Sequence, residues 1–222
     1  MTRILDSKRR APASGNEPTS MVVFLHGYGA DGADLLGLAD PLGEHMPDTV
    51  FIAPNAPEIC ATNPGGYQWF PIPWIDGSSE EAADASMAQS VIDLNAYLDN
   101  AMEEEGLRAE EVVLFGFSQG TMMSLHVAPR RDDEFAAVVG FSGRLLQPES
   151  LEDEVKSRPP VLLVHGDQDD LVPIQSMGEA GDKLLEQDFQ VYAHVMQGTG
   201  HGIAPDGLNV ALAFMRDRLQ LD

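Results

Sequence analysis

The chain has 222 residues, of which 43% are hydrophobic, and its formal net charge is −23, from 36 acidic residues against 13 basic ones. This length and hydrophobic content predict one folded domain with a substantial core and exclude an intrinsically disordered chain. The negative charge repels nucleic-acid backbones and anionic lipid headgroups, so we expect no nucleic-acid partner and no stable membrane association, whereas a cationic substrate would be attracted.

Residues 1–20 are polar and contain proline and glycine, which predicts an N-terminal arm or a short edge hairpin ahead of a single domain over residues 21–222. The segment has no apolar stretch of signal-peptide length. No apolar run of the chain is long enough to span a bilayer. Cys60 is the only cysteine, so no disulfide can form within the chain. Together these features predict a cytoplasmic protein.

Short apolar runs of strand type recur along the rest of the chain, at residues 21–25, 50–53, 112–115, 136–141, 161–164 and 191–196. The runs are continuous rather than alternating, which is typical of a parallel sheet covered on both faces. Helical segments lie between them. Their apolar residues recur at helical spacing near residues 35–42, 87–102 and 208–219, with a weaker pattern at 175–187.

The alternation of strands and helices predicts an α/β fold with a mostly parallel central sheet and helices on both of its faces. Ligands of such sheets bind beyond the carboxyl ends of the strands, so we expect the chemistry there. Residues 54–79 are irregular and too long for a simple connection, which indicates a functional loop. Its Trp69, Phe70 and Trp74 either line an acyl pocket or pack the loop onto the core.

The motif that carries most information is GFSQG at residues 116–120, which follows the run VVLF and precedes the helical pattern TMMSLHVA. A G-x-S-x-G motif between a strand and a helix is typical of a nucleophile elbow. The sharp turn strains the serine backbone, the glycines avoid clashes, and the helix directs its first N–H groups at developing negative charge. The context predicts that Ser118 is a nucleophile rather than part of a glycine-rich turn.

A serine hydroxyl needs a general base, and the chain offers six histidines. His201 follows the last predicted strand and precedes the last predicted helix, and the glycines of GTGHG allow its loop to carry the ring over the sheet edge. We therefore expect His201 to be the base. Structural roles are expected for the other five, with a supporting role beside the oxyanion site left open for the first of them: His26, His45, His126, His165 and His194.

The orienting acid of such a triad lies between the serine and the histidine in the chain. The loop after residues 161–164 offers Asp167, Asp169 and Asp170. The D-x-x-V-P spacing favours Asp169, while the other two are expected to shape the turn or face solvent.

Acyl transfer also requires hydrogen-bond donors for the tetrahedral oxyanion. We expect one at the backbone N–H of Gln119, directly after the nucleophile, and the second at Tyr28, in the glycine-rich loop at residues 26–32. A glycine-rich loop after a strand can instead hold a phosphate. This one lacks both the G-x-G-x-x-G pattern and a Walker lysine, which argues against that alternative.

The segments LHGYGADG, APNAP, GFSQG, HGDQDDLVP and GTGHGI, in this order, resemble the phospholipase/carboxylesterase family, which contains bacterial carboxylesterases and acyl-protein thioesterases. The resemblance runs from about residue 21 to the C-terminus. It implies a compact α/β-hydrolase fold without a large cap domain, and a serine carboxylesterase that hydrolyses short- to medium-chain esters through an acyl-enzyme. It also implies a triad and two oxyanion donors at Ser118, Asp169, His201, Tyr28 and Gln119.

The family's Trp-Phe segment beside the acyl site matches Trp69 and Phe70, and we expect Trp74, Leu145 and Leu146 to complete the pocket. The stretch after Phe70 looks longer than in the thioesterases, which leaves the acyl preference open. Alternatives are acyl-protein thioesterase, lysophospholipase or peptidase activity on the same triad, and a catalytically silent binding protein. We expect a small-molecule ester as partner, no cofactor and no metal, and leave a homodimer open.

Overall fold

In the computed structural model, residues 2–221 are described, and they form a seven-stranded sheet with the strand order β1-β3-β2-β6-β7-β8-β9. Every neighbouring pair is parallel except β1 with β3. The strands of this sheet are β1 (Ser7–Arg10), β2 (Ser20–Leu25), β3 (Thr49–Pro54), β6 (Val112–Phe117), β7 (Ala137–Phe141), β8 (Val161–Gly166) and β9 (Val191–Met196). A separate antiparallel pair is formed by β4 (Glu58–Ile59) and β5 (Tyr67–Gln68).

Eight α-helices connect the strands within the described residues. They are α1 (Gly32–Leu36), α2 (Ala39–Gly43), α3 (Pro73–Asp76), α4 (Glu80–Glu105), α5 (Gln119–Val127), α6 (Leu151–Glu154), α7 (Gln175–Glu186) and α8 (Pro205–Arg218). The core has two halves, one on each face of the sheet. Helices α4 to α7 contribute to the first half, and α1, α2 and α8 contribute to the second.

The predicted α/β architecture with helices on both faces is confirmed, and residues 2–221 contain no additional cap domain. The central strands are apolar throughout because each is covered on both faces; β2, β3, β7 and β8 are buried along their whole length. Helix α4 begins where the Ser79 hydroxyl accepts a hydrogen bond from the Ala82 N–H and ends at Gly106, whose φ is +68°. Its predicted apolar stripe faces the core.

Two details refine the sequence-based expectation. The predicted helix near residues 35–42 is two short helices, α1 and α2, separated at Gly37 and Leu38. The segment at residues 1–20, expected to be an arm or a short edge hairpin, contributes the edge strand β1, which pairs with β3. The polar strand β1 is exposed along its whole length, which is why no apolar pattern marks it.

The topology brings six connections to one edge of the sheet, at the carboxyl ends of the parallel strands. Ser118 directly follows β6, and the segment at residues 142–147 follows β7. Asp169 follows β8, and His201 follows β9. The loops at 26–31 and 55–79 follow β2 and β3. None of the helices in residues 2–221 combines the length and hydropathy needed to cross a bilayer.

Candidate active site

Ser118 occupies the sharp turn between β6 and α5, with φ 54° and ψ −116°, a conformation that costs free energy for any residue with a side chain. Its N–H donates to the Phe141 carbonyl at 2.8 Å, and its own carbonyl accepts from the Met122 N–H at 3.1 Å. A Cβ atom at Gly120 would collide with the Leu25 carbonyl, so the turn can form only with glycine there. These contacts hold the serine, half-buried, at the start of α5.

Asp169 and His201 form a hydrogen-bonded pair. The carboxylate Oδ2 lies 2.8 Å from the imidazole Nδ1, while Oδ1 accepts from the Leu171 and Val172 N–H groups at 3.0 and 2.9 Å. Burial raises the pKa of Asp169, but the bonds from Val172, His201 and Leu171 together hold it below its usual value. The ionised carboxylate accepts the proton on Nδ1, which leaves the imidazole Nε2 able to accept another.

The other two candidate aspartates do not reach the imidazole. Asp167 Oδ1 accepts from the Gly198 N–H at 2.6 Å, and the Gln168 N–H donates to the Thr199 carbonyl at 3.0 Å. These bonds tie the loop that carries the histidine to the loop that carries the acid. Asp170 is exposed. The structure therefore brings Asp169, and neither of the alternatives, to His201.

The imidazole of His201 lies beside the elbow. Its ring centroid is 4.9 Å from that of Phe117, the residue before Ser118. Within residues 2–221, no hydrogen bond joins the Ser118 hydroxyl to the imidazole. The structure therefore has the ring beside the elbow without a hydrogen bond to the serine.

The two predicted oxyanion donors flank the serine. Gln119 is the first residue of α5, and the loop containing Tyr28 approaches the elbow so closely that a Cβ atom at Gly27 would lie 3.3 Å from the Ser118 Cβ. The Tyr28 hydroxyl donates to Asp76 Oδ2 at 3.2 Å, and burial raises the pKa of Tyr28 to about 12. The tyrosine hydroxyl is therefore protonated and bonded to Asp76. The candidate oxyanion donor of this residue is its backbone N–H.

The buried side chain of His26 forms hydrogen bonds that hold the loop at residues 26–31 in place. The Ala56 N–H donates to its Nε2 at 2.9 Å, and its Nδ1–H donates to the Gly27 carbonyl at 2.8 Å. Burial lowers the pKa of His26, so the ring is neutral, as these two bonds require. Its backbone carbonyl accepts from the Trp69 indole N–H at 3.0 Å. His26 therefore connects the loop at residues 26–31, called the oxyanion loop below, to the loop at 55–79.

Trp69 does not line a pocket. Its side chain is completely buried in the core, its N–H donates to the Gln119 side chain at 2.8 Å, and its carbonyl accepts from the Ser90 hydroxyl. The expectation that it lines the acyl pocket is wrong; it packs the loop onto the core. Phe70 and Trp74 do border a cleft of about 110 Å³, together with Leu146. Leu145 and Leu146 border an adjoining cleft of about 300 Å³.

Three larger clefts lie elsewhere, and the smallest of them, of about 360 Å³, is bordered by Met102, Leu107 and Glu134. One of about 490 Å³ lies between the N-terminal arm and α4, and one of about 870 Å³ lies near the amino ends of the strands. Ser118, Asp169 and His201 border none of these clefts, large or small. The two smaller clefts lie among the segments that follow β3, β7 and β8, at the edge of the sheet where these three residues also lie, and ligands of parallel sheets bind at that edge. No group of three or more His, Cys, Asp or Glu side chains in residues 2–221 is arranged to hold a metal ion.

A family model described as Phospholipase/Carboxylesterase matches residues 10–219. The chain belongs to the phospholipase/carboxylesterase family. The predicted family, the α/β-hydrolase fold and the assignment to the serine hydrolases are confirmed.

Several members of this family resemble the chain over its whole length. Acyl-protein thioesterase 1 of Gibberella zeae is 27% identical and aligns over 97% of this chain and 98% of that protein. Esterase YpfH of Escherichia coli is 24% identical over 91% and 85% of the two chains. The crystal structure of esterase PE8 is 41% identical, with a TM-score of 0.92, and covers 98% of this chain and 100% of that one.

Two side chains of this family member have contacts that the sequence analysis missed. Gln119 accepts from the Trp69 N–H and donates from Nε2 to the Phe70 carbonyl at 2.7 Å, so its side chain fastens the loop at 55–79 to the elbow. His165 Nε2 lies 2.8 Å from the Val172 carbonyl and 3.4 Å from Asp169 Oδ2. Gln119 and His165 both lie in motifs that the sequence shows. Their hydrogen-bond partners, however, are distant in the chain or lie in irregular loops, so no local sequence pattern reveals these contacts.

Proposed function

We propose that the chain is a serine carboxylesterase that hydrolyses short- to medium-chain carboxylic esters through an acyl-enzyme. The observation that carries the proposal is the Asp169–His201 pair, at 2.8 Å, beside a serine held in a strained elbow. Such an arrangement supplies a nucleophile, a base and an orienting acid in the roles that acyl transfer needs.

In the first half of the reaction, His201 Nε2 accepts the hydroxyl proton as Ser118 Oγ attacks the ester carbonyl carbon. The carbonyl oxygen becomes an oxyanion, which the backbone N–H groups of Gln119 and Tyr28 stabilise. The Asp169 carboxylate stabilises the imidazolium. The carbon–oxygen bond to the alcohol then breaks, the imidazolium gives its proton to the departing alkoxide, and an acyl-serine ester remains.

In the second half, water attacks the acyl-serine carbonyl while His201 accepts one of its protons. The same two N–H groups stabilise the second oxyanion. When the bond to Ser118 Oγ breaks, the imidazolium returns the proton to the serine and the carboxylic acid is released. The cleft of about 110 Å³ favours small acyl groups, because pockets for drug-sized ligands are roughly 300–1,000 Å³.

Substitution of the nucleophile tests the proposal. We expect Ser118→Ala to abolish hydrolysis of p-nitrophenyl butyrate and labelling by a fluorophosphonate probe, because no other side chain can form the acyl-enzyme. Ser14→Ala, which changes an exposed serine that bonds to Asp48, is the matched control and retains both. A Ser118→Ala protein that hydrolysed the ester near the wild-type rate would end the proposal.

A second candidate is thioesterase activity, because several relatives are named acyl-protein thioesterases. The same triad can cleave an acyl-sulfur bond by the same steps. Rates on an oxo-ester and a thioester with the same acyl group discriminate the two activities. Lysophospholipase activity is disfavoured by the net charge of −23, which repels anionic lipid interfaces.

A further inference from the structure

Arg144 is a cation without a carboxylate partner in a strongly acidic protein. Most arginines with assigned contacts form ion pairs, as Arg3 does with Asp93 and Arg130 with Glu154. Among residues 2–221, Arg144 has neither an ion pair nor a hydrogen bond, and its Nε atom is buried without a partner. A buried donor left unpaired is unfavourable, so such a group calls for an explanation.

Arg144 lies where its guanidinium could bind a ligand in a cleft. Its guanidinium carbon lies over the exposed Trp74 ring, 5.3 Å from the ring centre, a cation–π contact that pairs none of its N–H groups with an acceptor. Arg144 borders the cleft of about 110 Å³ together with Phe70, Met87 and Leu146. The cation thus lies in the wall of an otherwise largely apolar cleft, with donors left for a ligand.

Two residues that border this cleft, Arg144 and Phe70, are linked to the elbow. Gly143, the residue before Arg144, packs against the elbow so closely that a Cβ atom there would lie 3.1 Å from the Ser118 carbonyl oxygen. On the other wall, the Phe70 carbonyl is bound by the Gln119 side chain. Arg144 and Phe70 are therefore each within one residue of a contact with the elbow.

The cleft lies on the acyl side of the nucleophile. His201 packs on Phe117, which belongs with α8 to the core on one face of the sheet. Phe70, Leu145 and Leu146 belong to the core on the opposite face. Because the imidazolium gives its proton to the departing alcohol, the alcohol leaves on the side of His201. The acyl group then extends to the other side, toward Arg144.

We propose that Arg144 is a specificity-determining residue that binds a carboxylate at the far end of the acyl group, so that half-esters of dicarboxylic acids are the preferred substrates. This rests on the esterase function proposed above. The guanidinium presents parallel N–H donors that match the two oxygens of a carboxylate. The methylene groups between the ester and the carboxylate contact Phe70, Met87 and Leu146.

Two carboxylates also border the cleft, Glu80 and Asp84, and they oppose an anionic ligand. Both are exposed on the first turns of α4, and neither is within ion-pair distance of Arg144. Solvent and salt screen exposed charges more strongly than a partly buried pair. The contact with the guanidinium is therefore expected to outweigh the repulsion.

The test compares two esters with five-carbon acyl groups, mono-4-nitrophenyl glutarate and 4-nitrophenyl pentanoate, which differ in the terminal carboxylate. The measured quantity is the ratio of their kcat/KM values in the wild type and in variants. We expect Arg144→Gln to lower the ratio of glutarate to pentanoate about tenfold or more, the loss that follows removal of one charge-assisted hydrogen bond. Arg144→Lys restores part of it, because a point charge remains.

Arg10→Gln is the matched control, because it removes the same charge from the exposed edge strand β1 and should leave the ratio at its wild-type value. An Arg144→Gln ratio equal to that of Arg10→Gln overturns the proposal. If Arg144→Gln does not fold, Arg144→Lys decides: its ratio of glutarate to pentanoate must be lower than that of the wild type, because a point charge replaces the paired N–H donors, and a ratio equal to that of Arg10→Gln overturns the proposal. A wild type that hydrolyses neither ester overturns the esterase function itself.

Discussion

Asp169, the proposed orienting acid, is also expected to contribute to stability. Burial raises its pKa, and the hydrogen bonds from Val172, His201 and Leu171 more than offset that effect, so the folded pKa lies below the unfolded one. The folded state therefore holds fewer protons than the unfolded state in the acidic range. The carboxylate contributes stability above about pH 4, and this contribution is lost as the pH falls through the folded pKa.

We predict that Asp169→Asn lowers kcat/KM on the order of 10⁴-fold, because the amide can donate to Nδ1 and so favours the tautomer whose Nε2 carries a proton. The free energy of unfolding should also be lower than in the wild type at neutral pH, and the difference should shrink as the pH falls below about 4. Urea unfolding at several pH values measures it. Asp170→Asn, at the exposed neighbouring carboxylate, should change neither quantity; an equal loss there would contradict the assignment.

The candidate catalytic residues could be singled out in the sequence because each has its own local signature. Ser118 lies in a motif with a defined turn, His201 is flanked by glycines, and Asp169 lies in a patterned loop. The pocket could not be predicted in the same way, because an aromatic residue in an irregular loop can face either inward or outward. Trp69 and Trp74 are five residues apart, yet one is completely buried and the other is 69% exposed.

At the scale of the elements, Trp69 is one of the residues that attach the loop at 55–79 to its surroundings. Its N–H, its carbonyl and its indole N–H are all bonded, to Gln119, Ser90 and His26. Two of these partners belong to the elbow and the oxyanion loop. The irregular segment is therefore bonded to three different elements, through the side chains of Gln119 and Ser90 and the backbone carbonyl of His26.

We predict that Gln119→Ala raises KM for p-nitrophenyl butyrate more than it lowers kcat, because the backbone N–H for the oxyanion remains while the pocket loop is released. The buried Trp69 N–H and Phe70 carbonyl lose their partners, which should lower the free energy of unfolding by about 1–3 kcal/mol for each unpaired group. Gln190→Ala, at an exposed position before β9, is the control. A pure kcat loss with unchanged stability would argue against this role for the side chain.

The sheet illustrates which elements a sequence pattern can reveal. Strands buried on both faces need apolar residues along their length, so β2, β3 and β6 to β8 are evident. β1 has the sequence SKRR, and it pairs through its backbone at an edge where side chains remain in water. The two-residue strands β4 and β5 are too short to produce any periodicity.

For the whole molecule, the net charge of −23 is the dominant long-range feature. Ion pairs such as Arg3–Asp93, Arg9–Glu105 and Lys156–Asp132 neutralise some of this charge locally. The 36 acidic residues far outnumber the 13 basic ones, so most of the negative charge is not neutralised. Repulsion among like charges destabilises a compact state relative to an expanded one. The folded chain should therefore gain from screening by salt.

We predict that the midpoint of thermal unfolding rises as NaCl increases from about 0.05 M and levels off near about 1 M, where the Debye length is roughly 3 Å. Differential scanning calorimetry at neutral pH measures it. Chloride and sulfate compared at equal ionic strength separate screening from ion-specific effects, since screening makes the two equal. A midpoint that falls with NaCl would contradict a dominant role for self-repulsion.

The hydrogen bonds between the loops after β8 and β9 make Asp169 and His201, the proposed acid and base, one preassembled unit that does not depend on Ser118. Ser118, the proposed nucleophile, directly follows β6. Strand β7 lies between β6 and β8 in the sheet. Two interstrand steps, about 10 Å in total, therefore set how the halves of the triad meet. A substitution in β7 that changes the distance between β6 and β8 by a fraction of an ångström would therefore alter the reaction rate, although it touches no reacting group.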